Sequence, residues 1–160
     1  MRQPGYTLIE LLVVLAVLGV MATVALPMAE MTVQREKERE LKRALWEIRD
    51  AIDAYRKAGE QAAALAGTAA VVSAASYPPN LKALVQPVQD NRDGRQVAVV
   101  RFLRRLPRDP FADPSLPAEQ TWGLRSYSSE ADKPLPGDDV FDVYSRSATM
   151  GLNGVHLRQW

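Results

Sequence analysis

An apolar run over residues 11–29 carries no charge and is entered through Glu10; it is the feature that most constrains this chain. About 19 residues at ~1.5 Å rise per residue make a helix of roughly 28 Å, close to the ~30 Å hydrocarbon thickness of a bilayer. The run predicts a membrane-spanning helix over residues 6–29. Glu10 sits badly there, because an acidic side chain in the membrane costs about 2.5–3.5 kcal/mol on insertion scales and is seldom kept without a partner. It calls for a cation. Within the run, Pro27 has no N–H, so the bond to the Thr23 carbonyl is lost and a bend or local melting is expected. Ala16, Gly19, Ala22 and Ala25 offer small surfaces where another helix can approach closely.

The helical pattern continues past the run but changes character. Leu41, Leu45, Ile48, Ile52 and Tyr55 recur at spacings of four and three, which places them on one face of an amphipathic helix over residues 30–59. Glu38 with Lys42 and Asp53 with Lys57 read as favourable pairs on a solvated opposite face. Residues 60–80 read as an Ala-rich frayed end and linker closing in a Tyr77-Pro78-Pro79-Asn80 turn, with Asn80 a helix cap. A head over residues 81–160 follows. Its expected parts are a short helix over 81–85 stopped by Pro87, a loop over 90–94, and over 97–106 a second short helix, preferred to an extended segment. Antiparallel strands over 122–128 and 139–145 come next, then a tight turn at Asn153-Gly154 leading to a third short strand or a tucked tail. A long helix followed by loops and a small sheet indicates an α+β head with the helix across one sheet face.

The remaining composition excludes more than it suggests. Among 160 residues the net charge is +1, which gives no field for nucleic acid, and the absence of cysteine removes disulfides and thiolate metal sites. His156 is the single histidine, and no phosphate loop or nucleophile with a matching base is present. No enzyme is expected.

Gly5-Tyr6-Thr7-Leu8-Ile9-Glu10, preceded by a short leader with Arg2 and followed by the apolar helix with Pro27, resembles the class III signal of type IV pilin-like proteins. The resemblance implies a pilin-like fold, cleavage after Gly5 by a prepilin peptidase and methylation of the new amino terminus at Tyr6, where the family usually has Phe. Residues 1–5 would be a lost leader. It also implies that Glu10 pairs with the amino terminus of a neighbouring subunit, a contact that sets register more than it supplies adhesion. Leu106-Pro107-Arg108-Asp109-Pro110-Phe111 is similar to the Leu-Pro-x-Asp-Pro-aromatic element of the major, G-type pseudopilin of type II secretion. There it would form a rigid corner, with Asp109 a turn-maker and Phe111 a plug into the core.

On this resemblance the chain is expected to be an inner-membrane, single-pass pseudopilin with a cytoplasmic N-terminus and a periplasmic head. It would polymerise with itself and other pseudopilins on an inner-membrane assembly platform, into a pseudopilus that drives export across the outer membrane. Alternatives are a minor pilin of a type IV pilus or DNA-uptake system, and a single-span periplasmic binding module that does not polymerise. A secretory signal cut near Thr23-Val24-Ala25 fits poorly, since the apolar run is too long and Glu10 stands at its entrance. Arg35, Lys37, Arg39, Lys42 and Arg43 after the span oppose the family topology on the positive-inside rule.

The acids Glu130, Asp132, Asp138, Asp139 and Asp142 raise calcium, which needs six to eight oxygens. Asp138, Asp139 and Asp142 are the candidate ligands. In the similar pseudopilins an acidic loop follows the strand that here is Asp142-Val143-Tyr144-Ser145, whereas this chain continues Arg146-Ser147-Ala148-Thr149. A solvated acidic loop and no cofactor are therefore expected.

Overall fold

The computed structural model describes residues 5–65, 76–90 and 98–160, with the backbone alone for residues 24–27, 65, 89, 90, 98 and 99. Residues 1–4, read as leader, residues 66–75, read as linker, and residues 91–97, read as loop and the start of a short helix, fall outside the described residues. Two compact units are present, residues 1–37 and residues 38–160, and one helix, α1 (Leu8–Leu65), contributes to both.

In the first unit α1 starts at a cap that its sequence supplies. The Thr7 hydroxyl accepts the Glu10 amide at 3.3 Å and the Thr7 carbonyl accepts the Leu11 amide at 3.2 Å. This satisfies backbone donors that a helix start leaves open. The helix is unbroken through Pro27, so the expected local melting there does not occur. Side chains Leu8 to Thr23 are all exposed, so the apolar surface runs round the helix.

In the second unit the predicted stripe is the floor of the core. Leu41, Leu45, Ile48 and Ile52 are buried and Tyr55 packs beside them, joined by Tyr77, Leu81, Leu84, Leu103, Trp122, Val140, Val143 and Leu157. α1 continues to Leu65, so the first residues assigned to a linker are helical, in keeping with the high helix propensity of alanine. Asn80 caps a 3-10 turn, Leu81–Leu84, its side chain accepting the Ala83 amide at 3.1 Å.

Over the described residues 98–106 the preferred helix is not formed, and the extended alternative holds for 98–100. Instead β1 (Val88–Asp90) pairs antiparallel with β2 (Ala98–Val100), and residues 101–106 are irregular, with Leu103 buried and its amide bonded to the Leu84 carbonyl at 2.9 Å. The β-branched pair Val99-Val100 favours the extended state once a partner strand is supplied. Asp90, expected in a loop, is the last residue of β1.

The second ribbon pairs β3 (Trp122–Arg125) with β4 (Asp142–Ser145), antiparallel as expected and shorter than the stretches predicted. Its register sets Gly123 opposite Tyr144, and a Cβ at Gly123 would collide with that ring. A glycine is what lets Tyr144 lie across the strand. The tail turns at Gly154, φ 77°, a conformation that favours glycine, and forms one bridge, Met150 to His156, before a 3-10 turn at Leu157–Gln159. This is the tucked tail, with one bridge in place of a third strand.

The burial of the stripe gives a direct test. In a soluble fragment starting at Glu30, Leu45→Ala is expected to cost about 2–5 kcal/mol in denaturant unfolding. A loss under about 0.5 kcal/mol would place the stripe outside the core.

Candidate processing and assembly site

Three residues at the start of the chain carry the predicted chemistry, and the fold leaves each of them accessible. Gly5 and Tyr6 precede α1, outside any helix or strand, and are exposed. A Cβ at Gly5 would meet nothing within 4 Å. The fold itself therefore does not require glycine there; any such requirement comes from a protein that reads the Gly5–Tyr6 bond. Glu10 is exposed in the first turn of α1, where its charge is favourable to the helix dipole. Among the described residues no cation pairs with its carboxylate.

Thr7 was not singled out in the sequence as a site residue, although Thr7-Leu8-Ile9-Glu10 fits the Ser/Thr-x-x-Glu pattern of a helix start. The side chain of Pro27, the other residue assigned to assembly, lies outside the described residues. Gly19 has open space around it, with nothing within 4 Å of an added Cβ, so a second helix could approach it.

Residues 1–26 match the family model of the prokaryotic N-terminal methylation motif. This is the N-terminal signature of type IV pilin-like proteins, which are structural subunits. No curated protein and no solved structure matches the chain. Among the described residues α1 is the one helix long and apolar enough to cross a membrane, and together with the motif it anchors the chain by a single N-terminal span.

In the head, the acids proposed for calcium are not brought to one point. Asp139 is buried, with Oδ2 accepting the Tyr127 amide at 2.9 Å, while Asp138 is exposed. Asp142 Oδ1 accepts both Arg49 Nε and its neighbour Val143's amide at 2.8 Å. Among the described residues no group of three or more His, Asp or Glu side chains is placed to hold a metal. Arg49 engages one oxygen of Asp142 and the Tyr127 amide one oxygen of Asp139, so these candidate acids are turned to separate partners rather than to a common point.

That arginine belongs to a set of polar ties that spacing did not reveal. Arg49 also donates through a terminal nitrogen to the Val143 carbonyl at 3.1 Å and the Trp160 carbonyl at 2.8 Å, joining α1, β4 and the tail. Glu38, only 8% exposed, accepts the Leu152 amide at 2.7 Å, and Lys42 lies 4.5 Å from the Trp160 ring. The charged face of α1 is therefore partly a docking face for the tail, contrary to the solvated face expected, and both Glu38 and Lys42 reach the tail. Asp109, 2% exposed, is the turn-maker predicted. Its Oδ1 accepts the Phe111 amide at 2.8 Å and its Oδ2 accepts the Ser145 hydroxyl at 2.6 Å. Trp122 Nε1 donates to the Pro107 carbonyl at 2.9 Å, and Phe111 packs half-buried against the core.

Two outcomes follow. Arg49→Ala is expected to lower the stability of the head by about 1–3 kcal/mol, since three acceptors lose a charged donor at a half-exposed site. Added chelator should leave the melting temperature of the unsubstituted head unchanged, and a drop of several degrees would restore the metal hypothesis.

Gly5→Ala should leave the melting curve of the head unaltered yet abolish shortening of the chain. Intact-mass measurement of membrane-extracted protein is expected to give a start at a methylated Tyr6 for the natural sequence and at Met1 for the variant.

Proposed function

We propose that the chain is a pseudopilin of a type II secretion system, similar to the major, G-type subunit. The observation that carries this reading is the bond between Asp109 and Ser145. It ties together the two head stretches that resemble the major pseudopilin, residues 106–111 and 142–145, in a chain that starts with the methylation motif. The absence of cysteine also supports it, because many adhesive type IV pilins carry a C-terminal disulfide loop.

In this function the head stands in the periplasm and the N-terminus in the cytoplasm, where the prepilin peptidase cuts after Gly5. Each subunit leaves the bilayer when its exposed apolar helix is transferred into a bundle of like helices. That transfer exchanges lipid contacts for helix packing and so has little hydrophobic drive of its own. The energy comes from an ATPase elsewhere in the machine. Glu10 supplies the register: its carboxylate, without a cation in its own chain among the described residues, is matched by the amine of the neighbouring Tyr6. A misregistered helix would leave both charges unmatched at low dielectric, which is strongly unfavourable. The subunit is structural and catalyses nothing. A minor pilin would share all of the N-terminal features and differ in having a pilus as its product.

Glu10→Gln separates assembly from folding. The amide keeps the shape and a residue type compatible with the helix start, and removes the charge. Cleavage after Gly5, head stability and membrane abundance should be normal, while fibre formation and secretion are lost. Secretion at the natural level from the Gln variant as the sole copy, with abundance matched by immunoblot, would reject the assembly role. A lone binding module would show that result.

A further inference from the structure

The head carries an open groove of about 570 Å³ next to the Leu81–Leu84 turn, lined also by residues that follow β2 and by the start of the Ala118–Thr121 turn. Val85, Leu106 and Pro117 give it apolar lining, and Lys82, Arg101, Arg104 and Arg105 surround it with cations. All three arginines are exposed, and among the described residues none makes an ion pair. Lys82 lies 3.2 Å from Glu119, the single acid among the lining residues. Arg104 and Arg105 also line a second depression beside Glu47 and Asp50 of α1, again without an ion pair. The groove thus holds a cluster of like charges around an apolar surface, a composition complementary to an apolar side chain carried among carboxylates.

The same head presents such a segment. Between β3 and β4 the chain runs through a loop in which Glu130, Asp132 and Asp138 are exposed and Lys133 is the sole cation over residues 127–138. Leu135 is 64% exposed on this loop. Its side chain is presented from anchored backbone: the Leu135 carbonyl accepts the Ser126 amide at 3.0 Å, and the buried Asp139 carboxylate holds the Tyr127 amide. Tyr127 stacks on Tyr77 with ring centroids 5.5 Å apart. Little ordering would be needed for this loop to bind, which favours association.

We propose that the acidic loop of one copy docks into the basic groove of the next, Leu135 entering the apolar part and Glu130 and Asp132 meeting Arg101, Arg104 and Arg105. This rests on the assembly function proposed above and names the head-to-head contact within it. Groove and loop are different surfaces of one head, so the contact is heterologous. Repeated without closing, a heterologous contact makes an open helical array, whereas a two-fold contact would stop at a dimer. Arginine suits this role, since its planar fork matches a carboxylate in two hydrogen bonds.

The test uses the full chain, which has no natural cysteine. Two copies are co-expressed in membranes, one carrying Val85→Cys and the other Leu135→Cys, and treated with a short bismaleimide. A mixed cross-linked dimer is expected, with none from either cysteine alone. Arg101→Glu, Arg104→Glu and Arg105→Glu together in the Val85→Cys copy should cut its yield at least about tenfold, because like charges then face each other. Glu130→Lys with Asp132→Lys in the Leu135→Cys copy should restore it, which also shows that the reversed groove is folded. An unchanged yield on reversal, or no restoration by the second reversal, overturns the docking. Val13→Cys in the membrane helix provides the control: a ladder from Val13 without the head cross-link overturns the docking and leaves assembly standing, and absence of both removes assembly and the docking with it.

Discussion

A single helix has to satisfy two different solvents, and the rest of the chain is arranged to make that possible. Over Leu8 to Thr23 α1 exposes its side chains on every side, whereas between Leu41 and Ile52 it is apolar along one stripe, which is buried. An all-round apolar surface is stable only in lipid or among other helices, and a stripe only against a core. The stripe is the larger determinant of the head, because the 3-10 turn at Leu81–Leu84, the strand residues Trp122 and Val143 and the tail residue Leu157 all complete one core with it. Removing the stripe would leave two short ribbons with no common surface to pack on, and isolated two-stranded ribbons are marginal in water.

A head without disulfides needs other means of holding a tail that leaves β4 and makes only one bridge. Arg49, Glu38 and Lys42 meet that need from α1. Their bonds go mainly to backbone atoms and to one aromatic ring, so they fix where the tail lies while asking little of its side-chain identity. The same arrangement gives the acid at the start of β4 a partner from within the head. Asp142 is already neutralised by a permanent cation that also reaches two carbonyls, the service a bound metal would otherwise perform in tying loop to strand.

What was legible in the sequence was what depends on local spacing. The stripe follows from the helical period, the Asn80 cap and the Asp109 turn follow from side-chain oxygens next to prolines, and the β3–β4 pairing follows from two runs of aromatic and β-branched residues. The failures share a different cause. Residues 98–100 are too few to show a strand's alternation, and their extended state depends on a partner strand, β1, rather than on their own spacing. Glu38 and Arg49 sit at polar positions of the stripe's helix, and nothing within a turn of either marks it as tied to Leu152 or Asp142, 114 and 93 residues away. Charge patterning could assign them to a face of the helix but not to a partner. At the N-terminus the signature was legible as a methylation motif over residues 1–26, and the Thr7 cap shows there only as the Ser/Thr-x-x-Glu spacing of a helix start.

The features of that N-terminus also differ from those of the head in having no cause among the described residues. Tyr144 explains Gly123, the turn explains Gly154, and Ser145 with the Phe111 amide explains Asp109. Nothing within 4 Å explains Gly5, helix dipole aside no charge in the described chain answers Glu10, and no packing explains an apolar surface exposed from Leu8 to Thr23. Helix initiation alone is already met by Thr7 through the Glu10 amide, and uses the Glu10 backbone and not its carboxylate. In the function proposed above, a glycine, a carboxylate and a helix surface that the fold does not use answer to other molecules: a peptidase, an amine and a set of like helices. On that proposal one chain supplies the last two to its own copies, since a cut after Gly5 would expose an amine at Tyr6, four residues before the carboxylate at Glu10. The processed N-terminus is then both halves of the contact that it needs, which is the requirement for indefinite addition of identical subunits.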